Sequence, residues 1–240
     1  MRRVRFKGSP RSNRFPGPTG CKFAAILFDF DGVLVDSEYA GNRQIAEWLT
    51  AAGYPTTTEE SMARFMGLAG SDFLTAIERW IGRPVPPEFH VARDAENARV
   101  MAEGIAAVTG AVAFVRALPA DLPRAVVSSS STEWIRCHLG HIGVADAFGD
   151  HVYSGREHVA NGKPAPDLYL YGADALGVAI EDCAIIEDSP VGATGAVASG
   201  GYVIGLTVGG HCGDGHGDRL AAIGVDAVAA DFDDVARLLG

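Results

Sequence analysis

Six short runs rich in β-branched and aliphatic residues punctuate the chain, at positions 24–28, 124–128, 152–154, 183–187, 202–206 and 227–229. Each is predicted to be a strand. Helical patterns fill the gaps between the later runs. In "DLYLYGADALGV" (167–178) Leu168, Tyr171, Ala175 and Leu176 fall near helical spacing, and "PVGATGAVASGG" (190–201) reads as an Ala-rich helix that ends in glycines. Strand and helix in alternation predict a parallel sheet with helices on both faces, and such sheets bind ligands at the carboxyl ends of their strands.

Residues 38–106 break the alternation, reading as helix after helix with no convincing strand. "NRQIAEWLTAAG" puts Ile45, Trp48, Leu49 and Ala52 on one face and stops at Gly53, and "GSDFLTAIERWIG" and "EFHVARDAENARVMAEG" behave similarly. A helical block inserted directly after the first strand is expected to cap the strand ends. The predicted architecture is α/β: a Rossmann-like core of residues 23–37 and 107–240 with an all-helical cap at 38–106.

Composition narrows the picture without changing it. At 240 residues, 48% hydrophobic and 21% charged, the chain can bury a full apolar core. The net charge of −10 hides an asymmetry, because residues 1–22 carry Arg2, Arg3, Arg5, Lys7, Arg11, Arg14 and Lys22 and no acid. That leaves −17 on the body, which argues against a nucleic-acid surface there. The basic head lacks the apolar stretch of a secretory signal and is rich in Gly and Pro, so a disordered tail is expected at 1–22. Cys21, Cys137, Cys183 and Cys212 form no CxxC pair, which suggests neither a zinc ribbon nor a disulfide framework and fits a reducing cytoplasm. No apolar run approaches the roughly 18 residues of a membrane span, so no membrane partner is expected.

The chemistry gathers where the strands end. "FAAILFDFDGVLVDSE" (23–38) runs from an apolar stretch into Asp29 and Asp31, which point to the same side of an extended backbone. Two such charges about 4 Å apart repel by roughly 4 kcal/mol at an effective dielectric near 20. After the second run, "SSSSTEW" fits a capping box from Ser130 to Glu133, so free N–H groups of a helix start would lie beside hydroxyls and seat an anion. "NGKPAPDLYL" presents Lys163 on a proline-stiffened loop, with Pro166 suited to a first helical turn. "CAIIEDSPVG" ends a strand with Glu187 and Asp188, then offers Ser189 as N-cap and Pro190 at the first helical position. Asp29, Asp31, Glu187 and Asp188 on one sheet edge call for a hard divalent cation, and oxygen-only donors favour Mg²⁺. Metal, lysine, hydroxyls and a spare carboxylate together describe phosphoryl transfer.

Other stretches read more plainly. Asp36, Ser37 and Glu38 fit a hinge or a helix start equally well, and Trp48, Trp80 and Trp134 read as core packing. "HCGDGHGD" (211–218) offers two His, one Cys and two Asp, but its glycines predict a floppy loop rather than a metal site.

Four segments in order carry a resemblance. "DFDGVLVDSE", "VVSSSS", "GKPAPDLY" and "IIEDSPVG" resemble the four motifs of the haloacid dehalogenase-like superfamily, and the likeness covers about residues 23–239. The helical insert is similar to the cap of the subgroup containing phosphoglycolate phosphatase, β-phosphoglucomutase and small sugar-phosphate phosphatases. The resemblance implies that Asp29 attacks phosphorus and that Asp31 moves protons to the leaving alcohol and from water. It further implies Mg²⁺ held by Asp29, the backbone carbonyl of Asp31 and Asp188, with Glu187 assisting directly or through water. Ser128, Ser129 and Lys163 would bind the phosphoryl group.

Departures from the subgroup's mutases favour hydrolysis. The mutase His after the first motif falls here at Gly41, and the cap Arg that clamps a second phosphate falls at Gly70. A phosphonatase would want a cap lysine, and residues 38–106 contain none. The cap residues Arg64, Phe65, Met66, Leu68 and Asp72 are expected near the substrate pocket, with Arg64 and Asp72 as its polar contacts, while Phe65 and Leu68 fit the cap's own core equally well. The expected protein is a Mg²⁺-dependent phosphatase of a small sugar or polyol phosphate, a monomer or weak homo-oligomer with a small-molecule phosphate ester as its partner. A phosphosugar mutase and a non-catalytic phosphate-ester-binding regulator are the alternatives.

Overall fold

The computed structural model describes residues 21–66, 68 and 70–240, so the reading of a disordered basic tail lies, for positions 1–20, outside the described residues. Six strands form one sheet: β1 (Ala25–Phe28), β2 (Arg124–Ser128), β3 (Val152–Ser154), β4 (Cys183–Glu187), β5 (Tyr202–Leu206) and β6 (Ala227–Ala229). All pairs are parallel, in the order β3-β2-β1-β4-β5-β6. The two-residue period of β1 divides its apolar side chains between two cores. Ile26 and Phe28 face one, shared with α5 (Ala111–Ala117), α6 (Thr132–His141), α7 (Ala145–Phe148) and α11 (Phe232–Leu239). Ala25 and Leu27 face the other, covered by α8 (Asp167–Ala175) and α9 (Pro190–Ser199). A strand apolar on both faces has one stable place, the middle of a sheet covered by helices.

Register carries this packing into function. Phe28 pairs with Val126 on one side and Ile186 on the other. Asp29 therefore leaves the sheet level with Glu187, and the polar tips of three adjacent strands meet at one edge.

Between β1 and α5 the described residues form four helices, α1 (Ser37–Ala51), α2 (Thr58–Phe65), α3 (Gly70–Ile81) and α4 (Pro87–Glu103). They pack on a separate apolar cluster of Ile45, Leu49, Phe65, Ile77, Ile81 and Phe89. The stretch enters and leaves the core side by side: Val35 bridges Ala107, the Asp36 N–H donates to the Ala106 carbonyl at 2.9 Å, and the Val108 N–H donates to Leu34 at 3.1 Å. Cys137 Sγ and His141 Nε2 on α6 both lie 3.1 Å from the Met101 carbonyl of α4. Among the described residues no helix is long and apolar enough to cross a membrane.

Two predicted faces shift. Ala52 is exposed because α1 ends at Ala51, leaving Ile45, Ala46 and Leu49 as the buried positions. Along α8 the buried residues are Leu168, Tyr169, Gly172 and Ala173, while Tyr171 is 38% exposed. The cause is a close approach. A Cβ at position 172 would come within 2.8 Å of Val127 Cγ1, so the helix meets the sheet on its glycine and turns Tyr169 inward.

Candidate active site

Lys163 stands between two buried carboxylates. Its Nζ donates to Asp29 Oδ1 at 2.6 Å and to Glu187 Oε1 at 2.5 Å, with all three side chains almost without solvent. Glu187 is saturated: Oε1 also accepts from the Tyr169 hydroxyl at 2.7 Å, and Oε2 accepts from the N–H groups of Asp188 and Ser189 and from the Ser189 hydroxyl. The last contacts belong to the start of α9, where Ser189 caps the helix and Pro190 opens it, as the sequence predicts. Burial, and then the Glu187 charge, pushes the Asp29 carboxyl well above its ordinary range against the pull of Lys163. Burial also opposes the Lys163 ammonium, but the Asp29 and Glu187 charges outweigh it and hold its pKa well above ordinary.

Asp188 completes the acidic group. Asp29, Glu187 and Asp188 each offer a carboxylate oxygen within 4.8 Å of the others. Oδ1 of Asp188 is buried with no hydrogen-bond partner, and burial raises the Asp188 pKa against the opposing His211 hydrogen bond. An orphaned buried oxygen beside oxygen-only donors fits a hard cation such as Mg²⁺. Glu187, whose oxygens already accept several hydrogen bonds, anchors Lys163 from within the same cluster. The glycine after Asp31 is explained by the same crowding. Gly32 has a φ of +83°, and a Cβ there would fall on the Asp188 carboxylate.

Asp31 faces hydroxyls instead of a lysine. Its Oδ1 accepts from Ser37 Oγ at 2.7 Å and from Trp134 Nε1 at 3.4 Å, and its Oδ2 from Ser130 Oγ at 2.6 Å and Ser128 Oγ at 3.3 Å. Ser128 also accepts the Ser130 N–H at 3.0 Å, and Ser129 lies exposed at the strand end. The two aspartates thus occupy unlike surroundings, one clamped by an ammonium, the other ringed by neutral donors. The capping box expected at Ser130 is not formed. Ser131 caps α6 by accepting the Trp134 N–H, which frees Ser130 for Asp31. Nor is the first turn of α6 an open anion seat, because Glu157 accepts both the N–H and the hydroxyl of Thr132.

The stretch after β5 departs furthest from its expected looseness. His211 Nε2 lies 2.7 Å from Asp188 Oδ2, and His216 Nε2 donates to the Asp188 carbonyl at 2.6 Å. Burial disfavours the His211 imidazolium, but the hydrogen bonds and charges of Asp188 and Cys212 together outweigh it and lift the pKa to about 10. The Gly210 N–H donates to Asp36 Oδ1 at 3.3 Å, and a Cβ at Gly209 would meet the His211 ring and the Gly32 carbonyl. These glycines let the loop press onto the first motif. The sequence predicts a floppy loop for the neighbouring 211–218, and it gives no sign of Ser37, Ser130, Trp134 and Tyr169 as contacts of the carboxylates. Burial raises the Glu38 pKa, and the Asp31 charge adds to it, so Glu38 too faces this edge.

The four helices of the insert contribute less. The Arg64 guanidinium lies 4.0 Å over the Trp80 ring, and Asp72 is exposed in the first turn of α3. Among the described residues neither has a hydrogen bond or ion pair to the carboxylates. Phe65 is buried in the insert's own core, and Leu68 is 41% exposed.

Residues 23–200 match the family of haloacid dehalogenase-like hydrolases. The chain is 33% identical over 191 residues to hexitol phosphatase A of Escherichia coli K12, covering 78% of this chain and 83% of that one. It is 30% identical over 181 residues to 6-phosphogluconate phosphatase of the same organism, with 75% and 80% covered. A HAD family hydrolase from Deinococcus radiodurans R1, solved with bound phosphate and sodium, superposes with a TM-score of 0.81 at 31% identity over 91% of this chain and 98% of that one. On its fold, its four motifs in order and these likenesses, the chain belongs to the haloacid dehalogenase-like hydrolase family.

Proposed function

We propose that this phosphoric monoester hydrolase removes phosphate from a small sugar or polyol phosphate by way of a phospho-aspartate on Asp29, with Mg²⁺ as its cofactor. The observation that carries the reading is Lys163 held between Asp29 and Glu187 at 2.6 and 2.5 Å, at the level where β1 and β4 end. The substrate class rests on two relatives, a hexitol phosphatase and a 6-phosphogluconate phosphatase. Asp29, the backbone carbonyl of Asp31 and Asp188 would hold the ion. When bound, it supplies neutralising charge for the phosphoryl oxygens.

The side chains divide the work. Lys163, anchored by Glu187 and Tyr169, fixes Asp29 Oδ1 and presents positive charge to the incoming phosphoryl group. The Asp29 carboxylate attacks phosphorus; a bond from its oxygen forms as the ester P–O bond breaks, and Asp31 gives its proton to the departing alkoxide. Water then attacks the same phosphorus while Asp31 takes its proton, and the Asp29 carboxylate is released. Ser128 and Ser129 donate to the phosphoryl oxygens. The hydroxyls of Ser37 and Ser130 and the Trp134 indole hold the Asp31 carboxyl in place for both transfers.

In this reading residues 38–106 form a cap hinged on the paired linkers, closing to exclude bulk water, with Arg64 and Asp72 as contacts to the leaving group. Four free cysteines suit a reducing compartment, which supports a cytoplasmic location. Phosphate release from a panel of sugar, polyol and nucleoside monophosphates with Mg²⁺, using Asp29→Asn as blank, tests the proposal. Release from sugar or polyol phosphates that stops with EDTA is expected. Turnover indifferent to EDTA or to Asp29→Asn would overturn it.

A further inference from the structure

Three residues of types that ligate metals have no role in the reaction above. His211 and Cys212 lie in the loop after β5, and His216 opens α10 (His216–Ile223). One nitrogen of each imidazole and the Sγ of Cys212 lie within 4.8 Å of one another. Both histidines are buried, at 6% and 3% exposure, and Nδ1 of His211 has no hydrogen-bond partner. A polar atom closed off from water and left unpaired is costly unless something fills its place.

The surroundings are those of a metal-binding pair of histidines. Asp188 holds both rings, His211 through its carboxylate at 2.7 Å and His216 through its backbone carbonyl at 2.6 Å. The carbonyl on His216 Nε2 is an acceptor of the kind that orients a ligating imidazole, leaving its Nδ1 for an ion. Cys212 Sγ sits 3.4 Å from His211 Nε2. Among the described residues Arg219 competes for His216, hydrogen-bonding its Nδ1 at 3.0 Å, and Arg219 is an exposed side chain free to swing into solvent.

We propose that His211, Cys212 and His216 form a second metal site that takes Zn²⁺. Two imidazoles and a thiolate suit a borderline-soft ion and not Mg²⁺, so the two sites are separated by donor chemistry although both touch Asp188. Three protein ligands leave a fourth position open. The protons on the ligating groups leave as the ion binds. This site does not depend on the phosphatase reading, and its test reads binding rather than turnover.

Co²⁺ is the probe, added to metal-stripped full-length protein with Mg²⁺ in excess. A thiolate-to-cobalt charge-transfer band in the near ultraviolet is expected to grow and saturate, and Zn²⁺ should abolish it. Oxygen ligands give no such band, so Co²⁺ on the carboxylates is silent. Cys212→Ser should lose the band, whereas Cys137→Ser, outside the cluster, should keep it. His216→Gln should weaken Co²⁺ binding by about 100-fold or more, since even outer-shell partners cost about 10–100-fold. Absence of the band in the unmutated protein would overturn the proposal without any variant having to fold. So would its survival in Cys212→Ser.

Discussion

Asp29 and Arg64 are both charged side chains that the sequence singles out, and the fold treats them in opposite ways. Asp29 is 6% exposed, burial raises its pKa, and its charge is compensated by Lys163, which the loop before α8 brings within 2.6 Å. Arg64 lies exposed on the insert, resting on Trp80 at 4.0 Å, where water already satisfies its charge. A buried charge is expensive and needs a compensating arrangement, so finding one is informative about function. An exposed cation costs almost nothing to keep.

The comparison breaks most visibly at Asp29. Asp29→Asn is expected to lower kcat by about 10⁴-fold or more, the scale on which a covalent nucleophile acts, and steady-state phosphate release measures it. Lys163→Met should come next. Removing one partner of a buried ion pair costs about 3–5 kcal/mol because the partner charges stay behind, so the variant should unfold at markedly lower denaturant in the absence of Mg²⁺. If Lys163→Met unfolded like the unmutated protein, the clamp would not be holding those charges.

Mg²⁺ offers a gentler probe of the same edge. Asp29 and Asp188 both have raised pKa values in the fold. The folded state then binds their protons more tightly than the unfolded chain does. Stability without metal therefore falls as pH climbs from the ordinary carboxylate range through the raised values. An ion that needs both groups ionised should offset this, so its stabilisation should grow with pH. At about 100 times its Kd the gain is about 2.7 kcal/mol, which for a chain of 240 residues corresponds to roughly 5–11 °C in Tm. Thermal melts with and without Mg²⁺ at acidic and alkaline pH check both size and sign; a Tm shift that shrinks with rising pH would contradict it.

What could be read from sequence follows the same line between local and distant causes. The six strands were legible because a run of apolar residues is a local fact, Asp29, Glu187 and Asp188 because each closes or follows such a run, and Lys163 because prolines stiffen the loop that carries it. Ser130 was misplaced by one position, since the choice between Ser130 and Ser131 as cap depends on Asp31, 99 residues away from Ser130 in the chain. Trp134 packs against the core as expected, yet its indole also reaches Asp31. The glycines of 211–218 suggest looseness, yet His211 and His216 in that stretch are buried against Asp188, 23 residues or more away in the chain. Gly172 and Gly209 mark places where a side chain comes too close for a Cβ, which only the three-dimensional neighbour reveals.

The smallest expected effect lies on the insert, and it tests whether the contrast with Asp29 extends to function. Arg64→Ala removes a cation–π contact at an exposed site, worth about 0.5–1 kcal/mol of stability. If Arg64 also reaches the leaving group when the cap closes, KM should rise about fivefold, the equivalent of one hydrogen bond near 1 kcal/mol, with kcat unchanged. The two effects separate cleanly, because Arg64→Lys keeps the charge and much of the ring contact but loses the planar fork that grips an oxygen pair. A KM raised in both variants, with Tm lowered only in Arg64→Ala, is the outcome expected of a substrate contact. A shift in Tm alone would make Arg64 a packing residue, and would leave the reading of the leaving group to side chains at the mouth of the sheet such as Ser37 and Glu38.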